Sequence, residues 1–373
     1  MPVATPRFYV ALVVFAVLNL WIATSVLLSG TLALVLLFHS HRAYREFIQI
    51  LEKGFGSHVV ILTYLLSPAD LLLTGDLDAL TPRTRSIIMA NHQIYPDWLY
   101  LWSLAWWAGI HGTIKIILME PLKYIPIVGM GMQLFEFIFM KRKWALDRDN
   151  MSKILRTAKA DNLPLSLLIF PEGTLNTPNN KATSEAYAKK MDLSEKPEFV
   201  LLPKSTGLHF SCETLLPEIT TLVDVTVGYS GLTKDQVAYD EYLVENVFFH
   251  GKGPKQVHMH IRKFDIRTLP GFAPATDGIS QSKEGSATDG DQDEGTRQKE
   301  EFNVWLRKEF MYKDSLMGQF YSTGKFADNP KRVSIVPTIQ DWVSVGIMFL
   351  SVFYTFPLLL WLARIPLYLL FGI

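Results

Sequence analysis

The stretch from Met89 to Trp102, MANHQIYPDWLYLW, sets His92 and Asp97 between a short apolar run and a tryptophan-rich one. Ionisable groups are kept out of such surroundings unless they are paired or used. The apolar run reads as a strand ending at Asn91-His92, followed by a turn with Pro96 and then a helix. His92 is thereby expected at a strand C-terminus, the edge where open α/β sheets hold their sites. Pro96 suits a first helical turn, which needs no N–H there. Asp97 can then fold back on the imidazole, fix its tautomer and leave the other ring nitrogen as a base. Such a dyad can deprotonate a hydroxyl, for a gain of about 10²–10⁴ in rate. The plainer reading is a capping aspartate beside an incidental histidine, and H-x-x-x-x-D alone does not separate the two.

Three further stretches carry candidate chemistry. Phe139-Met140-Lys141-Arg142-Lys143 puts cations at the end of a strand. Phe170-Pro171-Glu172-Gly173-Thr174 ends another apolar strand in a tight turn. There Gly173 permits close backbone approach, and free N–H groups with the Thr174 hydroxyl suit a phosphate. Pro203-Lys204 closes a third apolar run. Each also has an ordinary structural reading: a solvated strand end, a β-turn, or simple punctuation.

The elements that must position these residues alternate. SIIMA (Ser86–Ala90), TIKIILM (Thr113–Met119), EFIFMKR (Glu136–Arg142), LSLLIF (Leu165–Phe170), EFVLLP (Glu198–Pro203), TLVDVTVGY (Thr221–Tyr229) and QVHMHIRKF (Gln256–Phe264) read as strands. DWLYLWSLAWWAG and DRDNMSKILRTAKADN between them read as helices. Alternation of this kind predicts an α/β fold, a mostly parallel sheet with flanking helices. Trp98, Trp102, Trp106 and Trp107 follow the dyad at helical spacing and suit either a core or a bilayer interface. His258 and His260 share a strand face with no evident third metal ligand, so no metal is expected.

Two stretches make the chain membrane-anchored at its ends. Tyr9–Phe38 carries no charge over a length sufficient to span a bilayer, and Ser29-Gly30 could break it into a hairpin. Trp342–Ile373 is a second apolar run, in which Pro357 and Arg364-Ile365-Pro366 would introduce kinks. Arg42, Arg45 and Lys53 follow the first run, and Lys325, Lys331 and Arg332 precede the second. The positive-inside rule then puts the region between them in the cytosol, so that the sequon at Asn150 escapes glycosylation. Hydrophobic residues make up 49% of the 373 and charged residues 19%, as expected of a membrane protein. Lys+Arg and Asp+Glu are equal at 36, giving no basic field for nucleic acid. The single Cys212 excludes an intrachain disulfide. The expected organisation is an anchor over 1–45, a catalytic domain over 46–275 and a disordered acidic loop over 276–302. A cytosolic helix over 303–335 and a membrane segment over 340–373 complete it.

Taken in order, Asn91-His92…Asp97, Phe139…Arg142, Glu172-Gly173-Thr174 and Val200-Leu201-Leu202-Pro203 resemble the four motif blocks of the glycerolipid acyltransferases, the 1-acylglycerol-3-phosphate acyltransferase type. The resemblance covers roughly Ile87 to Phe264. Its surroundings, FMKRKWALDRD and KQVHMHIRKF, look like the lysocardiolipin and lysophosphatidylinositol branch. Some members have glycine three residues before the phenylalanine of the second block, where this chain has Glu136.

The resemblance implies an endoplasmic-reticulum membrane enzyme that acylates a lysophospholipid, with acyl-CoA as co-substrate and no bound cofactor. By it, His92 is the general base and Asp97 orients it. Asn91, Phe139, Arg142, Glu172, Gly173, Thr174 and Pro203 belong to the substrate-binding set, with Arg142 and the Glu172–Thr174 turn on the acceptor's glycerol and phosphate. The rival readings are a CoA-independent transacylase on the same fold and a non-catalytic membrane scaffold or lipid-binding protein.

Overall fold

A computed structural model describes residues 5–82, 84–273 and 290–371. In chain order the elements begin with α1 (Pro6–Ala33), α2 (His41–Leu66), β1 (Asp70–Gly75), β2 (Ser86–Ala90) and α3 (Asp97–Trp107). They continue with β3 (Ile114–Met119), α4 (Val128–Leu134), β4 (Ile138–Met140), α5 (Trp144–Asp161), β5 (Ser166–Ile169), α6 (Pro178–Lys190) and α7 (Ser205–Leu215). Last come β6 (Thr221–Tyr229), α8 (Ala238–Glu241), β7 (Gln256–Asp265), α9 (Gly290–Thr323), β8 (Lys331–Ser334) and α10 (Ile339–Phe371). The strands form one sheet in the order β4-β3-β5-β2-β6-β7-β1-β8. It is mostly parallel, with antiparallel pairing only between β6 and β7 and between β1 and β8.

β2 is buried along its whole length, which is why it reads as an unbroken apolar run. Its residues nevertheless divide by face. Ile88 and Ala90 join a core with α2 and α3, whereas Ile87 and Met89 join one with α5, α7 and α9. Helices thus cover both faces of the sheet.

Among the described residues two stretches are long and apolar enough to cross a membrane: Pro6–Phe38, which is α1 with the short 3₁₀ turn after it, and Ile339–Leu362 within α10. Large apolar side chains such as Val13, Val17, Leu20, Leu350, Phe353 and Trp361 point outward from them. The two helices pack on each other through Trp21 stacked on Phe349 and the Ser25 hydroxyl against Ser351.

Several expectations are corrected. α1 runs unbroken through Ser29-Gly30, because Gly30 serves packing: a Cβ there would lie 2.7 Å from Leu134 of α4. The anchor boundary at residue 45 falls inside α2, whose Arg45 is buried in ion pairs with Glu52 and Glu136 of the domain. Glu198–Pro203 is not a strand. The sheet position beside β5 is already filled, and the Phe199 and Val200 N–H groups donate to Asp314 while that of Leu202 donates to Ser184. Within the acidic segment, residues 290–301 are helical. They extend α9 outward from its buried Phe302, Leu306 and Phe310, with an Arg297–Glu301 pair on the exposed side; residues 276–289 lie outside the described residues. The helix expected over 303–335 stops at Thr323, with Gly324 in the left-handed region, and Lys331–Ser334 is the edge strand β8. α10 stays helical through Pro357.

Candidate active site

The parallel strands β2, β5, β3 and β4 end on one edge of the sheet, and the first three motif blocks lie in the turns that follow β2, β5 and β4. After β2 the chain turns through Asn91–Pro96, and Asp97 opens α3. The carboxylate of Asp97, 0% exposed, folds back over this turn. Its Oδ2 accepts from His92 Nδ1 at 2.7 Å and from the backbone N–H groups of Gln93 and Ile94 at 2.6 and 3.0 Å. Its Oδ1 accepts from the Tyr229 hydroxyl at the end of β6. The imidazole is therefore held with Nδ1–H donating, which leaves Nε2 as the basic nitrogen. His92 is 21% exposed on its side chain and stacks on Phe170 at 4.1 Å between ring centroids. A fixed tautomer and a partly open face are what a general base requires.

The turn after β5 is locked onto the dyad. Asn176 N–H donates to the His92 carbonyl at 2.9 Å. Gly173 sits at φ 68°, so the turn depends on glycine there. Arg142, itself at φ 61°, donates from Nη2 to the Gly173 carbonyl at 3.1 Å and touches the Met119 sulfur at 3.2 Å. Its left-handed turn is held by buried Asp147, which accepts from the N–H groups of Lys141 and Lys143 at 2.7 and 3.0 Å. The Nε and Nη1 groups of Arg142 have no protein partner among the described residues. Thr174 Oγ1 accepts from Asn180 at 2.9 Å, and its own proton remains to donate. The fourth block joins through the Lys204 N–H, which donates to the Pro171 carbonyl at 2.8 Å. The Lys204 ammonium lies over Gly173, 3.6 Å from where a Cβ would stand. The Gly173 N–H closes the turn on the Phe170 carbonyl at 2.9 Å, so the two cations, with the Thr174 hydroxyl, make this surface a setting for an anionic group.

Some expected substrate contacts lie elsewhere. Asn91 is 0% exposed, and its amide spends both ends on Val227, donating to the carbonyl at 3.0 Å and accepting from the N–H at 2.8 Å. It ties β2 to β6 from a fully buried position. Glu172 is 2% exposed with neither carboxylate oxygen in a hydrogen bond of ordinary geometry. Burial pushes its carboxyl well above the usual range, and the backbone amides of His92 and Leu201 only partly offset this. Glu172 thus points inward and does not present its carboxyl on the surface of the turn. Phe139 is half-buried against the core, and Pro203 is buried.

Sequence reasoning missed Tyr229 and left Lys204 as punctuation. A tyrosine closing an otherwise aliphatic strand was the available signal for the first. Trp102 is a core residue, and Trp106 donates to Asp341 at the start of α10. His258 packs edge-on to Phe320, and His260 contacts the Thr74 hydroxyl at 3.0 Å.

A family model described as Acyltransferase matches residues 74–228, which holds all four blocks. An uncharacterised acyltransferase of Schizosaccharomyces pombe is 30% identical over 334 residues, 86% of this chain and 87% of that protein. The chain belongs to the acyltransferase family. The 2-acyl-1-lysophosphatidylinositol acyltransferase of Saccharomyces cerevisiae is 33% identical over 67% of this acyltransferase chain, which spans 64% of that relative's length. Lysocardiolipin acyltransferase 1 of Gallus gallus is 30% identical over 82% of the chain and 69% of its own.

Proposed function

We propose that this chain transfers an acyl group from acyl-CoA to the free hydroxyl of a lysophospholipid. The observation that carries the reading is the His92 Nδ1–Asp97 bond of 2.7 Å, beside a turn flanked by Arg142 and Lys204. Nε2 of His92 takes the hydroxyl proton as the acceptor oxygen attacks the thioester carbonyl. The C–S bond breaks, and the proton passes from His92 to the leaving CoA thiolate. Asp97 stabilises the transient imidazolium. No acyl-enzyme is needed, and no group beyond the two substrates enters the balance. The names of the relatives support an acceptor of the lysophosphatidylinositol or lysocardiolipin kind.

His92→Ala is expected to abolish transfer while the protein stays folded and membrane-bound, and Asp97→Asn to be nearly as severe. Purified protein given radiolabelled acyl-CoA as sole donor, with lysophosphatidate, lysophosphatidylinositol and lysocardiolipin as acceptors, tests the reading. Transfer from an intact phospholipid without CoA would establish the transacylase instead. Normal turnover by His92→Ala would remove the base.

The basic residues that follow the first apolar stretch and precede the second support a domain facing the cytosol; an endoplasmic-reticulum membrane is what the family resemblance implies. Asn150, exposed on α5, should then carry no glycan in microsomes, and a glycosylated Asn150 would invert the topology.

A further inference from the structure

Asp97 has two oxygens, and His92 uses one. The other is held from a different element. β6 pairs with β2 as far as Ala90 opposite Val225, and then runs four residues beyond the end of β2. That overhang carries Tyr229, 1% exposed, to the underside of the Asn91–Pro96 turn. Its ring packs against Tyr100 at 5.7 Å and Tyr242 at 5.9 Å, which fixes its place independently of the hydroxyl. Its hydroxyl donates to Asp97 Oδ1. With the Gln93 and Ile94 N–H groups, three donors besides the histidine converge on one carboxylate.

We infer that Tyr229 is a positioning residue for the dyad, its hydroxyl fixing the plane of the Asp97 carboxylate against His92 and sharing that carboxylate's charge. The inference rests on the reading of His92 as the base. A carboxylate bonded only through Oδ2 can rotate about its Cβ–Cγ bond, and the imidazole turns with it. A carboxylate pinned at both oxygens cannot. Charge shared with a phenol is also charge not offered to the imidazolium. The hydroxyl therefore trades some of the carboxylate's support for the imidazolium for a fixed orientation. The other titratable groups facing Asp97 are Tyr100 of α3 and Glu172; the nearby Lys313 ammonium of α9 is paired with Asp224 and donates to the Val225 carbonyl of β6. None of them touches the Oδ1 atom that Tyr229 occupies.

Tyr229→Phe keeps the ring and removes the bond. kcat is expected to fall roughly ten- to one-hundred-fold, the range covered by loss of a hydrogen bond to a charged group. Both KM values should stay within about two-fold, since the residue touches neither substrate. The acid limb of the kcat/KM profile should move to higher pH, because Asp97 then gives its full charge to the imidazolium. A site-specific 3-fluorotyrosine at 229, a slightly stronger donor of nearly the same size, should move that limb the opposite way. This second variant decides the matter even if Tyr229→Phe folds poorly. A wild-type rate and an unmoved limb in both variants would overturn the assignment. So would lowered stability with raised KM values and a fixed limb, the signature of packing alone. His92→Ala is run beside them. If it still turns over, the base reading falls and this inference with it; if it is dead while the Tyr229 variants behave as wild type, only the Tyr229 assignment falls.

Discussion

On the proposed function, acceptor binding turns on Arg142. Its Nη2 braces the Gly173 carbonyl, while Nε and Nη1, without a protein partner among the described residues, are the groups the proposal gives to the acceptor phosphate. Arg142→Ala should raise the acceptor KM by about one to two decades, since a hydrogen bond to a charged group is worth roughly 1.5–3 kcal/mol. The acyl-CoA KM should change little. Arg142→Lys should recover only part, because an ammonium does not make the bidentate fork. Steady-state kinetics with each substrate varied in turn measures the split. A change confined to acyl-CoA would mean that the two pockets are assigned in reverse. Lys204, over the same turn, should show a weaker effect of the same kind.

At the scale of elements, the departure at Glu136 finds its explanation. Glu136 sits between α4 and β4 at φ 55°, the left-handed region where glycine is at ease. Here the side chain is put to use. Its carboxylate meets Arg45 of α2 at 3.2 Å, Lys115 of β3 at 3.4 Å and His41 at 3.0 Å, and His41 in turn meets Asp161 of α5. Arg45 and Lys115 are buried, and among the described residues the nearby Glu52 is their only other carboxylate partner. The network ties α2, directly after the first span, to the sheet. Glu136→Gly and Glu136→Ala should both lower stability, because breaking a buried pair leaves uncompensated charge and costs about 3–5 kcal/mol. Glycine should be the better of the two by about 1 kcal/mol, as it adopts the left-handed backbone without penalty. Thermal unfolding of the two variants in detergent reads both differences. Alanine equal to glycine would show that the backbone is not strained there.

For the whole molecule, burial sets a dependence of stability on pH. His58, His111 and His258 are buried, and burial pushes each down to about 4. In the fold they are neutral, whereas in the unfolded chain they take up protons near pH 6.5. The unfolded state therefore binds more protons between those limits. Stability is intact above about pH 7 and is lost as pH falls from 6.5 toward 4. Buried Glu172, raised in the fold, acts the other way over part of this window, so one histidine is best isolated by substitution. His258 packs edge-on to Phe320 and needs no charge, so His258→Phe should reduce the loss between pH 7 and pH 5 by on the order of 1–2 kcal/mol. Chemical denaturation at the two pH values measures it, and an unchanged difference would show that His258 is accessible to protons in the fold.

Local periodicity and residue chemistry, which the chain carries in short stretches, determined a good deal by themselves. The strands from Ser86 to Phe264 other than Glu198–Pro203, the helix after Pro96, the apolar ends and the four ordered blocks all rest on neighbours within a few residues. The pairing of His92 with Asp97 was legible for the same reason, since five residues and one turn separate them. What lies far apart in sequence was decided only by the tertiary structure. Asn91 reads as a ligand for substrate until Val227 is seen to take its amide, 136 residues away. Glu172 reads as a turn residue for the acceptor until the fold buries it, and Tyr229 reads as a strand residue until its hydroxyl is found on Asp97, 132 residues away. Glu198–Pro203 has the composition of a strand, yet the sheet beside β5 was already filled, and Asp314 and Ser184 took its N–H groups. A side chain's partner is fixed by which strands end side by side, and strand order is a property of the folded sheet that no local stretch encodes.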